Sequence, residues 1–235
     1  MNKDRTLYER VGAGGCRPSP YSWRIRFALA HKQLAANYVP VRFSDAGIVR
    51  RISGQHCVPV LVDRGDVVAD SWAIADFLDR RYPARPPLFA DVARKTMCRA
   101  LHQWTEQVLV PPLHRLSVAD FVGCVDPVDQ RYYRESREAM LGVRLEEACG
   151  DRKTLHGEVE AAVATIERDF GAGRFFGGEA PDYADYIVFS VFQWIRAFSA
   201  LELLSEESIL HPWRSRMIGL YGGLANTFPM RSSTS

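Results

Sequence analysis

The chain has 235 residues, 47% of them hydrophobic, enough to bury one large core or two small ones. Lys and Arg total 30 against 28 Asp and Glu, so net charge gives no reason to expect nucleic acid or an anionic membrane surface as partner. No run approaches the roughly 18 apolar residues needed to span a bilayer, and Met1 to Arg5 leads into no apolar signal segment, so a cytoplasmic protein without a membrane partner is expected.

Thr6 to Val11 reads as a short strand, broken by Gly12-Ala13-Gly14-Gly15 before Arg17-Pro18 leads to Ser19. From Ser22 to about Gln33, Trp23, Phe27, Ala30 and Leu34 recur at helical spacing while Arg24, His31 and Lys32 are free to face water, which predicts an amphipathic helix. Tyr38 to Phe43 alternates like a strand, and Pro40 places it at a sheet edge or strand start. Residues 44 to 57 are polar, with a short helix possible around Gly47 to Ile52. Val58 to Val62 and Val67 to Ala69 flank Asp63-Arg64-Gly65-Asp66, a turn that predicts a β-hairpin, and Ser71 caps a helix to about Tyr82. Residues 1 to 82 thus form one α/β unit.

The prolines of Pro83-Ala84-Arg85-Pro86-Pro87 open a linker over 83 to 90. Beyond it no strand-like alternation appears. Helical patterns cover Asp91 to about Leu116, about Asp129 to Glu147, Thr154 to Phe170, Tyr183 to Ala200 and part of Glu206 to Leu224, so residues 91 to 235 are expected to be all-helical. Asp182, with Asp185 at the third helical position, predicts a strong cap for the apolar helix after it, a stability device rather than a catalytic pair. Cys16, Cys57, Cys98, Cys124 and Cys149 form no Cys-x-x-Cys pair. Neither a disulfide framework nor a metal site is expected, and Cys57 is expected to be packed.

Three short motifs carry chemistry by their order. Ser19-Pro20-Tyr21-Ser22 lies where a polar loop meets a helix, so a hydroxyl and backbone N–H groups face whatever anion binds there, a thiolate among them. Val58-Pro59 opens an apolar run, where a cis proline would leave the neighbouring backbone free to pair with an extended peptide. Asp70-Ser71 sits at a strand end and helix start, suited to an ammonium and a carboxylate. The excess of basic residues falls within residues 1 to 88, which suits an anionic small ligand.

With these motifs the chain resembles the cytosolic glutathione transferase family, whose fold is a thioredoxin-like N-terminal domain followed by an all-helical C-terminal domain. Ser19 to Lys32 and Asp70 to Asp79 are similar to the β-etherase group and related fungal and bacterial serine-type transferases. Ser19 to Arg24 also resembles the zeta-class motif Ser-Ser-Cys-Ser-Trp-Arg, but Tyr21 stands where that class has cysteine and Pro20 replaces a serine. The resemblance implies glutathione as co-substrate, a small hydrophobic electrophile, and a homodimer. It makes Ser19 the donor that stabilises the thiolate, with Ser22 second. Val58 and Pro59 would meet the cysteinyl backbone, Asp70 and Ser71 the γ-glutamyl end, and Gln55 or His56 the glycyl carboxylate. Tyr21, Trp23, Trp104 and Leu113 would line the electrophile pocket. The implied chemistry is transfer to a hydrophobic electrophile, cleavage of an aromatic ether included; a ligand carrier with little turnover and a zeta-like isomerase are the alternatives.

Overall fold

The computed structural model describes residues 4–171 and 173–229; the start of the chain and the polar tail from Arg231 to Ser235 lie outside them. Four strands, β1 (Arg5–Arg10), β2 (Asn37–Val41), β3 (Val60–Asp63) and β4 (Asp66–Ala69), make one sheet in the order β2-β1-β3-β4. β1 and β2 are parallel, and β3 pairs antiparallel with both β1 and β4. Pro40 sits in the edge strand opposite Glu9, where its missing N–H costs no inner ladder bond. β3 and β4 form the expected hairpin, with Arg64 and Gly65 at positive φ in the turn.

Helices α1 (Pro20–His31), α2 (Ala46–Ser53) and α3 (Ser71–Arg81) complete this half. The cap of α3 is Asp70 rather than Ser71: its Oδ1 accepts the N–H groups of Trp72 and Ala73 at 2.9 and 3.0 Å. Asp79 ties down the following stretch by accepting from Leu88 N at 2.9 Å, Phe89 N at 3.1 Å and Lys32 Nζ at 2.6 Å.

The second half is helical: α4 (Val92–Trp104), a π turn (Thr105–Leu109), α5 (Val110–Phe121), α6 (Gln130–Leu141), α7 (Arg152–Phe170), α8 (Tyr183–Phe198) and α9 (His211–Gly223). An isolated bridge between Phe175 and Gly178 is its extended pairing among the described residues. α6 stops at Leu141, short of the expected Glu147, because Gly142 enters the left-handed region at φ 73°. Asp182 caps α8 by accepting from Ala184 N at 2.8 Å, while Asp185 accepts from Asp182 N at 3.0 Å, the reciprocal arrangement read from the sequence. Arg94 also pairs with Asp182, fastening α4 to the start of α8.

Two further expectations fail. α1 is not amphipathic, because it packs against both α3 and α8 and reaches Glu9 of β1 through Arg26, which leaves it no wet side: Arg24 and Lys32 are fully buried and His31 is half-buried. Their polar atoms are instead paired. Arg24 bonds Ser190 Oγ at 3.1 Å, His102 Nδ1 at 2.9 Å and Glu106 Oε1 at 2.9 Å, and Glu9, buried on β1, takes both Arg26 and Arg17. Second, Cys16 and Cys124 form a disulfide. Separated by 108 residues, they carry no local spacing signal. The fold presses the loop after β1 onto the end of α5, so closely that a Cβ on Gly12 would lie 2.1 Å from the carbonyl oxygen of Cys124.

These contacts generate three predictions. Asp182→Ala removes the α8 cap and takes away Arg94's carboxylate partner; stability falls by at least about 1 kcal/mol in urea unfolding. Thiol titration of protein denatured without reductant gives three reactive thiols, Cys57, Cys98 and Cys149, against five after reduction. Burial pushes the His102 imidazole from 6.5 down to about 4, so on acidification the unfolded chain takes up this proton before the folded one. Its stabilising share is complete above pH 6.5 and is lost as the pH falls to about 4; the drop in Tm between about pH 7.5 and 5 should be smaller in His102→Gln.

Candidate active site

Ser19 ends the loop after β1 in an extended conformation, and Pro20, with φ already fixed for a helix, starts α1. The Ser19 Oγ accepts the N–H of Ser22 at 3.2 Å, which leaves the hydroxyl proton for another acceptor. Ser19 opens onto a cavity of about 230 Å³ between the two halves. From the α/β half the cavity is lined by Arg10, Pro18, Ser19, Pro20, Tyr21, Phe43, Cys57 and Val58. The helical half contributes Val110, His114, Ser117, Val118 and Phe121 from one stripe of α5, Tyr133 and Arg137 from α6, and Trp194 from α8.

The sequence-predicted residues divide clearly. Ser19, Tyr21 and Val58 meet in this cavity, and the Val58–Pro59 bond is cis. Ser22 is not on its lining: the side chain is 3% exposed, with an enclosed Oγ lacking a hydrogen-bond partner. Gln55 and His56 are exposed on the loop ahead of Val58, outside the lining. Asp70 is exposed at the α3 cap, and Ser71 beside it is buried, its carbonyl accepting from Tyr183 Oη at 2.9 Å.

Three expected pocket walls are elsewhere. Trp23 is fully buried, its Nε1 donating to Arg17 O at 2.7 Å and its ring against Phe27 and Phe228. Leu113 points into the helical core, while its neighbour His114 faces the cavity. Trp104 lines a separate cavity of about 350 Å³ between α4 and α7, with Met97, Leu101 and Phe170. The π turn explains this: it holds one residue more than an α turn, so it rotates α5 relative to α4 by about 100°. A continuous helix would have brought Trp104 closer to the face that carries Val110, His114 and Phe121.

Sequence reasoning missed Arg10, Cys57, His114, Arg137 and Trp194. Cys57 is exposed and on the cavity wall rather than packed; its place immediately before Val58-Pro59 was the available signal. His114 was legible too, since Val110, His114, Ser117 and Phe121 repeat at helical spacing.

The polar groups are sharply set. Tyr21 Oη donates to Glu106 Oε2 at 2.6 Å, and burial followed by Glu106 pushes its phenol far above the usual range, so it stays protonated. Burial and the nearby Arg137 push the His114 imidazole down, which keeps it neutral against the Trp194 ring. No group of His, Cys, Asp and Glu among the described residues is arranged to hold a metal ion, and no helix there is long and apolar enough to cross a membrane. A capping hydroxyl at a helix N-terminus, opening onto an aromatic cavity, can hold an anion beside an apolar reactant.

Comparison with known proteins gives this geometry a lineage. Residues 18–81 match the glutathione S-transferase N-terminal domain and residues 96–212 the C-terminal domain. A zeta-class glutathione S-transferase of Euphorbia esula is 35% identical over 114 residues, 45% of this chain; the chain therefore spans about half of that relative, 48%. The crystal structure of glutathione transferase GSTFuA3 from Phanerochaete chrysosporium superposes with a TM-score of 0.74 at 27% identity, covering 94% of this chain and 93% of that one. β-Etherase LigF from Sphingobium sp. strain SYK-6 shares the fold at a TM-score of 0.69 and 18% identity, over 94% and 98% of the two chains. With both domains matched in order and the whole architecture shared, the chain belongs to the glutathione S-transferase family.

Proposed function

We propose that the protein is a serine-type glutathione transferase in which Ser19 stabilises the thiolate of bound glutathione for attack on a hydrophobic, aromatic electrophile. The observation that carries this is the Ser19 cap itself: the one predicted serine on the cavity stands at the N-terminus of α1, facing the aromatic wall. A thiol with pKa near 8.5 is about 3% ionised at pH 7, and lowering it to about 6.5 takes about 2.7 kcal/mol. A hydrogen bond to a charged acceptor supplies about 1.5 to 3 kcal/mol and a helix N-terminus about 0.3 to 1 more. The thiolate then forms the carbon–sulfur bond and the leaving group departs with its electron pair, chloride from an aryl chloride or phenolate from an aryl ether. Holding sulfur and electrophile together supplies the rest of the rate.

In this assignment residues 1–82 bind glutathione, 83–90 link, and 91–235 supply the helical side of the electrophile wall. Val58 and Pro59 face the cysteinyl backbone and Asp70 with Ser71 the γ-glutamyl end. A symmetric homodimer is part of the same proposal, supported by the exposed apolar side chains Val92 and Met97 on α4 beside the cavity that Trp104 lines.

Calorimetry with glutathione and conjugation of chlorodinitrobenzene test the reading together. Millimolar glutathione binds, and Ser19→Ala raises the pKa of the bound thiol and lowers kcat at least about tenfold, whereas Ser22→Ala leaves both close to the parent values. Binding without turnover on several electrophiles makes the protein a ligand carrier; an effect confined to Ser22→Ala overturns the assignment of Ser19.

A further inference from the structure

The electrophile side of the cavity is both aromatic and cationic. Arg10 lies over the Phe43 ring at 4.6 Å, and Arg137 over the Tyr133 ring at 5.1 Å, while Phe43 and Tyr133 meet edge to face at 5.3 Å. No Asp or Glu is on the cavity lining. Among the described residues no carboxylate lies within 4.0 Å of either guanidinium, although Arg5, Arg24, Arg26 and Lys32, which are more deeply buried, each have one.

The partners of both guanidinium groups are uncharged. Arg10 donates to the carbonyls of Val41 and Arg42. Arg137 makes a 3.4 Å contact to Ser136 Oγ and otherwise lies over the Tyr133 ring. Asp129, the carboxylate whose charge acts on Arg10, has its two oxygens on the N–H groups of Phe43 and Ser44, at 2.9 and 3.3 Å. The cations also act on one another: burial first, and Arg137 as a repelling charge, push the Arg10 guanidinium and the His114 imidazole down. An anion between Arg10 and Arg137 would remove that repulsion and find planar donors suited to a carboxylate.

We infer that the electrophile this cavity selects carries a carboxylate on its aromatic body, the carboxylate held by Arg137 and Arg10 and the ring by Phe43, Phe121, Tyr133 and Trp194. The inference rests on the proposed transferase reading and names its substrate class. Arg137 thereby becomes the specificity-determining residue, on α6 and remote in sequence from the glutathione motifs.

The experiment uses the full chain with glutathione and a matched pair of electrophiles, 4-chloro-3,5-dinitrobenzoate and 1-chloro-2,4-dinitrobenzene, each kcat/KM divided by its uncatalysed rate. The benzoate is favoured at least about tenfold, the scale of one charge-assisted hydrogen-bonded pair, and the preference shrinks with added salt. Arg137→Met abolishes it, Arg137→Lys keeps part of it, and the KM for glutathione stays unchanged in both. Calorimetric binding of the two S-aryl conjugates repeats the comparison without turnover, and because it starts from the parent protein it stands even if a variant misfolds. Equal or reversed preference overturns the inference while leaving glutathione binding and the transferase reading intact. A raised glutathione KM in Arg137→Met with the preference retained also overturns it, because the cations would then serve the tripeptide's own carboxylate. Failure to bind glutathione at all removes the transferase reading and this inference with it.

Discussion

The two halves of the molecule are held in register by a guanidinium with no access to water. Arg24 projects from the first helix into the seam and is met by a serine of α8, an imidazole of α4 and a carboxylate of the π turn. A charge in that position is tolerated only while every partner is in place; stripping one partner from a buried pair costs about 3 to 5 kcal/mol. The same carboxylate, Glu106, accepts from Tyr21 one turn before Arg24, and the guanidinium lies 5.0 Å from the tyrosine ring. The first turn of α1, which bears Ser19 at its head, is therefore fixed against the helical half by the network that joins the two halves. His102 takes part only as a neutral acceptor, so the docking is built from one permanent cation, one anion and one imidazole that burial keeps uncharged.

The features legible in the sequence are those with local causes. Pro40 marked an edge strand because an imide cannot donate to a ladder; Arg64-Gly65 marked a hairpin because its turn needs positive φ; Asp182 and Asp185 marked a helix start because both act within one turn. Ser19 was legible for the same reason. What was lost came from distance or from an assumed regularity. The water-facing side given to Arg24 and Lys32 presumes that a helix has one partner, and α1 has two. Trp104 was assigned by extending one helical phase through residues that contain a π turn. Cys16 with Cys124, and Arg10 with Arg137, become neighbours only through packing, and no spacing rule reaches across such separations.

The cavity has opposed characters on its two sides. Around Ser19 it offers a hydroxyl, a helix end and backbone beside a cis proline. Its far wall offers four aromatic rings and two guanidinium groups. That far wall does not belong to one half alone, since Arg10 and Phe43 come from the sheet side and Arg137 and Tyr133 from α6. Asp129, just before α6, accepts from the backbone of Phe43 and Ser44, and so fastens the exit of β2 to the helix that carries Arg137.

The bridge between Cys16 and Cys124 also changes what the polypeptide is topologically. It closes residues 16 to 124 into a covalent ring, and the exposed stretch Pro83 to Pro87 lies inside that ring. A protease nicking this stretch would leave one disulfide-tethered molecule that migrates intact until a reductant opens it into two fragments.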